Sequence, residues 1–315
     1  MPSIINKRIL CSSISALASG GLVVRCKCEE SHTQRGWGEW FRSWTVDEDS
    51  LFFERYQHGQ DGPGMMQWPT LRRGLRQRAE DEAKARDIIE RSRSYIQHCK
   101  GTGVDTNIMK NFTEELTSTL YGPGVTAEQR QAYVEKYGCS AYTDSALRTI
   151  VKEVYDRPGV VEIGAGNGQW ARQLREAHGV DVVAFDSMQA LPLQGPAYGP
   201  HTEAYQRYFY SNVLVGDESV FARTDLRNVL TGRALLLVFP DPGDMAVKCL
   251  RSYTASHPSN DLVIYVGEGR GGANGDSALF DWLESGEWFL VDTMPLQPVG
   301  SKGYERLFVF KKKKV

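Results

Sequence analysis

The C-terminal half of the chain predicts an α/β sandwich: a seven-stranded, mostly parallel sheet, closed by a final antiparallel hairpin, with a helical, Trp-rich region in front of it. Three observations carry this. From residue 160 onward, short apolar, β-branched runs alternate with helical stretches, the pattern of parallel strands covered on both faces. A glycine-rich turn at Gly164, Gly166 and Gly168 follows the first run. An acidic residue, Asp186, ends the second.

The elements follow in order. Residues 1–28 contain no Asp or Glu but carry Lys7, Arg8, Arg25 and Lys27 among several serines. That is the composition of an organellar presequence, and it predicts a mitochondrial location, with a cytoplasmic one as the alternative. The apolar stretch 9–24 is diluted by Ser and Gly and falls short of the ~20 strongly apolar residues that span a bilayer. It reads as a weak membrane-associated segment or a flexible terminus if it is not a presequence.

Residues 29–136 form the helical region. Trp37, Trp40, Phe41 and Trp44 recur at helical spacing. The aromatic stretch 37–68 either packs on the main domain or docks a partner protein. Asp61-Gly62-Pro63-Gly64 marks a linker. A long helix is expected from about Thr70 to Cys99, its arginines balanced by acids, which describes a solvated face. A second should start near Asn107 and end at Tyr121. Thr126 and Gln129 have capping-box spacing. Thr143 or Asp144 caps a fourth helix that runs to Val154. The strands of domain 137–315 are read at Val160–Ile163, Val180–Phe185, Asn212–Gly216, Ala234–Phe239, Leu262–Val266, Trp288–Val291 and Arg306–Phe310.

Lys and Arg number 37 against 39 Asp and Glu, for a net charge of −2. This gives no strong nucleic-acid signal. The six cysteines lack metal or redox spacing, and the six histidines form no metal-spaced cluster, so no metal is expected.

The glycine turn carries the chemistry. A dinucleotide site wants Gly-x-Gly-x-x-Gly, to seat a pyrophosphate at a helix end. Here the third glycine comes one residue early, and Glu162 precedes the first by two. That disfavours a nicotinamide-dependent oxidoreductase. A carboxylate at the end of the first strand suits the ammonium of S-adenosylmethionine (SAM), which has no phosphate. Asp186, one βαβ unit later, would accept from both ribose hydroxyls. Asp217, after the third strand, would reach the adenine amino group. Asp241, after the fourth strand, and Glu268, after the fifth, are weak catalytic candidates. Asp241 has a proline-stiffened turn as its plain alternative, and Glu268 has pairing with Arg270.

The stretches Tyr142–Leu147, Val160–Arg172, Val183–Met188, Leu235–Pro240 with Met245-Ala246, and Tyr265–Gly272 resemble a family of uncharacterised class I SAM-dependent methyltransferase-like proteins. The resemblance covers about residues 137–310. It implies a Rossmann-like SAM-methyltransferase fold and SAM as cofactor, and it is nearly silent on substrate. Ser187 and Met188, in the third stretch, join the expected cofactor-binding set. Two departures bear on catalysis rather than fold. Gln169 stands where the family usually has an aromatic residue. Phe239-Pro-Asp-Pro-Gly243 stands where it tends to have a Trp-Pro-Pro segment. Methyl transfer to an unidentified acceptor is the first expectation. A non-catalytic scaffold, an accessory subunit or assembly factor of a mitochondrial complex, is the second.

Overall fold

A computed structural model describes residues 68–99, 103–270, 274–301, 303 and 305–313. The presequence or membrane-associated segment, the Trp37–Trp44 face and the Asp61–Gly64 linker lie outside the described residues. Among those described, no helix is long and apolar enough to cross a membrane.

Among the described residues four helices come first: α1 (Trp68–His98), α2 (Thr106–Tyr121), α3 (Ala127–Tyr137) and α4 (Asp144–Glu153). Asp105 caps α2 by accepting from the Asn107 N–H at 2.8 Å. Thr126 and Gln129 form the expected capping box at α3, each side chain bonded to the other's backbone N–H. Of the two candidate caps of α4, Thr143 takes the role, accepting from Ala146 N–H. Helices α1 and α2 share a small core of Ala85, Ile88, Leu116 and Leu120. The 297–301 loop ties this region to the rest of the chain. Ser301 N–H donates to Tyr121 O, and the Tyr133 hydroxyl donates to Gln297 O.

The sheet contains β1 (Val160–Ile163), β2 (Val182–Asp186), β3 (Val213–Val215), β4 (Ala234–Val238), β5 (Leu262–Gly267), β6 (Trp288–Pro295) and β7 (Arg306–Lys312). Between them lie α5 (Gln169–His178), α6 (Glu203–Tyr208), α7 (Arg227–Leu230), α8 (Met245–Ser256) and α9 (Ser277–Leu283). The strand order is β3-β2-β1-β4-β5-β7-β6. The first five strands pair in parallel, and β7 pairs antiparallel with both neighbours. This is the seven-stranded, mostly parallel α/β sandwich with a final antiparallel hairpin that the sequence predicts.

Every residue of β1, β4 and β5 is buried, which is why these runs are apolar without alternation. Alternate residues serve two cores. Val160, Leu236, Val238 and Ile264 pack with Leu147, Ile150, Trp170 and Leu174 on one face. Val161, Leu235, Leu237 and Tyr265 pack with Leu250, Tyr253 and Leu279 on the other. Of the expected strands only β1 keeps both of its bounds, and two of the differences have a visible cause. Val180 lies just past the end of α5, where its N–H donates to Leu174 O, so β2 starts at Val182. Strand β6 continues to Pro295 through a bulge between Leu290 and Asp292. Polar Asp292 and Thr293 hide that extension from a reading of apolar runs.

Strand order reverses between β1 and β4, and open α/β sheets bind ligands in the crevice at the carboxyl ends of such neighbours.

Candidate functional site

Strand β1 delivers Glu162 and Ile163 to that crevice and then turns. Gly164 and Ala165 both donate N–H bonds to Phe185 O, at 2.8 and 3.0 Å. The turn needs left-handed backbone at Gly166 (φ 60°) and Gly168 (φ 79°), which L side chains rarely adopt. At Gly168 space is also lacking: a Cβ would lie 2.6 Å from Tyr210 Cβ and 2.8 Å from Val213 Cγ2. Helix α5 starts directly after it, its free N–H groups facing the turn.

Asp186 is 4% exposed, and it secures the loop. One carboxylate oxygen accepts from Gly166 N–H and the other from Met188 N–H, both at 2.8 Å. The sequence reading assigned both oxygens to a ribose, whereas here both serve the backbone. A carboxylate has about four acceptor sites, so two bonds do not exhaust it. Met188 itself has φ 60°, unusual outside glycine.

A narrow cleft opens beside the loop, lined by Tyr137, Gly138, Cys139, Glu162, Gly164, Ala165, Gly166, Gln169, Trp170, Pro192 and Val238. Glu162 is 1% exposed, so its carboxylate sits deep in the protein.

Gln169 explains one wall. Its amide Nε2 donates to Val134 O and Glu135 O at 3.1 and 3.3 Å. That fixes the end of α3, and with it Tyr137–Cys139, against the cleft. Trp170 Nε1 donates to Ser140 O at 2.8 Å. The Tyr142 ring lies edge-on to Trp170 and 5.0 Å from that of Tyr137.

The other expected residues lie on the same side of the sheet but off the cleft lining. Ser187 and Asp217 are exposed. Asp217 caps the short turn Glu218–Ala222 by accepting from Ser219 N–H. Hydrogen bonds from the Ser219 hydroxyl and backbone hold its carboxyl below the ordinary range. Asp241 is half-buried in the loop after β4. That loop opens with Phe239 at φ 50°, 3% exposed, donating its N–H to Val266 O at 2.7 Å. Glu268 is 4% exposed. Arg270 pairs with Asp281 of α9 and with Glu284 just after that helix, both at 2.9 Å.

Asn274, which sequence reasoning missed, joins the two loops. Its Oδ1 accepts from Glu268 N–H, and its Nδ2 donates to Pro240 O. No local motif marks it. Tyr137, Cys139 and Pro192 also reach the cleft without a signal, because they come from segments distant in sequence. Among the described residues no group of His, Cys, Asp and Glu is placed to hold a metal ion.

No family model matches the chain, and no curated protein matches it. Among solved structures it is similar to the magnesium protoporphyrin IX methyltransferase of Synechocystis PCC 6803 with bound SAM, at 14% identity and a TM-score of 0.37, covering 68% of this chain and 100% of that one. It is similar to the 1,6-didemethyltoxoflavin-N1-methyltransferase of Burkholderia thailandensis with bound S-adenosylhomocysteine, at 16% identity and a TM-score of 0.35, covering 59% and 83%. It is similar also to the ribosomal protein L11 methylase of Lactobacillus delbrueckii subsp. bulgaricus, at 11% identity and a TM-score of 0.33, covering 62% and 84%.

Proposed function

We propose that the chain binds SAM in the crevice beside β1 and transfers its methyl group to an acceptor. The observation that carries this reading is Glu162. It is a carboxylate buried to 1% exposure, beside a glycine turn whose backbone is open to close approach. A carboxylate in the wall of the cleft suits a cationic α-ammonium group. The donor set also fits an uncharged ribose better than a pyrophosphate, since Asp186 would repel phosphate and attract hydroxyls.

When bound, SAM supplies an activated methyl group for in-line displacement. The chain's own part is placement. Glu162 holds the amino-acid end. Asp186 presents its remaining lone pairs to the ribose, with Ser187, Met188 and Asp217 toward the adenine. The Tyr137–Cys139 wall and Val238 keep water from the methyl. Glu268 and Asp241, in the loops after β5 and β4, are the carboxylates that would orient an acceptor or take its proton. Asn274 ties these two loops together.

Calorimetric titration with SAM and with S-adenosylhomocysteine tests the reading, with Gly166→Arg as the control. Micromolar binding, lost in the control, is expected. Absence of binding to either ligand would overturn the reading and leave a scaffold role for the fold.

A further inference from the structure

The segment after β2 crosses the glycine loop before the chain moves away to α6. Pro192 lines the cleft, and its ring lies against Gly166, where a Cβ would be 3.3 Å from Pro192 Cδ. The next residue is fastened twice. Asn167 Nδ2 donates to Leu193 O at 2.9 Å, and Leu193 N–H donates to Asn167 Oδ1 at 3.1 Å. The Leu193 side chain is 1% exposed, in a small apolar cluster with Val134 and Phe209. The flanks are more exposed. Ser187, Gln189 and Ala190 are exposed on one side, and Gln194 and Gly195 on the other.

We propose that residues 187–195 form a latched strap that holds Pro192 in part of the cofactor's seat, with Asn167 as the latch. The inference rests on the SAM reading. A glycine whose φ forbids a side chain leaves its face open to a ligand, and here the chain's own proline takes that face. The space left beside it, about 20 Å³, is far below the ~300–1,000 Å³ of small-molecule sites. Seating the cofactor therefore requires Pro192 to withdraw. Withdrawal breaks both Asn167 bonds, so the latched fraction sets how fast SAM enters.

Two readouts test this. Hydrogen exchange at the Leu193 amide reports the latch without any ligand. Stopped-flow tryptophan fluorescence reports SAM association, with Trp170 in the cleft wall as the local reporter. Losing two ordinary hydrogen bonds should shift the strap equilibrium about tenfold. Asn167→Ala is therefore expected to speed Leu193 exchange and SAM association by about tenfold each, with dissociation little changed. Pro192→Ala keeps both bonds and should speed association at unchanged Leu193 exchange, which keeps the test alive if the first variant folds poorly. SAM binding at one common rate to all three proteins would overturn the strap and leave the cofactor reading standing. Failure of all three to bind SAM would remove the cofactor reading and the strap's role together.

Discussion

Gly168 is constrained by both conformation and space. Its φ of 79° is a conformation side chains resist, and Tyr210 and Val213 occupy the space a Cβ would need. Gly168→Ala is expected to cost about 2–4 kcal/mol of stability, combining backbone strain with overpacking, as chemical denaturation would show. A Gly168→Ala protein as stable as the parent would refute the turn geometry. The three glycines, Glu162 and Asp186 were legible in the sequence, because a strand–turn–helix forces such residues into short spacings. The burden on Asp186 was not legible, since its two N–H partners are backbone groups that every residue carries. Gln169 teaches the same lesson. As a departure from an aromatic position it suggested a changed pocket, and its amide in fact ties down the carbonyls at the end of α3.

Individual elements show where local chemistry sufficed. Caps are read from side chains a few residues apart, so the box at Thr126 was visible in advance. Thr126→Ala should cost about 1 kcal/mol, the usual worth of such a cap, measurable as a lower midpoint in urea. Helix α9 carries a less comfortable cap. Asp276 accepts from Leu279 N–H at 2.8 Å. Burial raises its pKa, the Leu279 N–H pulls it back in part, and Asp244 raises it further. The folded chain thus holds the ionised form less readily than the unfolded one. The resulting penalty is absent below the ordinary carboxylate pKa, grows as pH rises from that value to the folded one, and is complete above it. Asp276→Asn keeps a capping acceptor without the charge. Its thermal midpoint at pH 7 is expected to rise by about 1–2 °C, and the gain should vanish near pH ~3. A gain of equal size at both pH values would exclude the electrostatic cause. Strand ends were harder to anticipate. The second half of β6 is polar and bulged, and Val180 bonds back to the helix before it instead of joining β2.

At the scale of the molecule, the alternation of apolar runs with helices fixed the layer architecture in advance. It could not say that Tyr137–Cys139, Pro192 and Asn274 would converge on one crevice, because long-range convergence leaves no local pattern. The site couples to global stability through mass action. At a ligand concentration a hundred times its Kd, SAM should stabilise the fold by about 2.7 kcal/mol, seen as a rise in thermal midpoint. Glu162→Gln should abolish that rise while leaving the unliganded midpoint at or near the parent value. A ligand-induced rise that survives in Glu162→Gln would show that the buried carboxylate is not the anchor.

The position of β7 has a consequence for synthesis. It is the last of the seven strands in sequence, yet it is inserted between β5 and β6 and pairs with Leu262–Gly267 along the whole length of β5. On the ribosome, the first six strands emerge before the one that completes the sheet. Until residues 306–312 leave the exit tunnel, β5 presents an apolar, unpaired edge, the surface that invites intermolecular pairing. A nascent chain stalled after β6 should therefore depend on chaperones, and folding should complete only after the final strand is released.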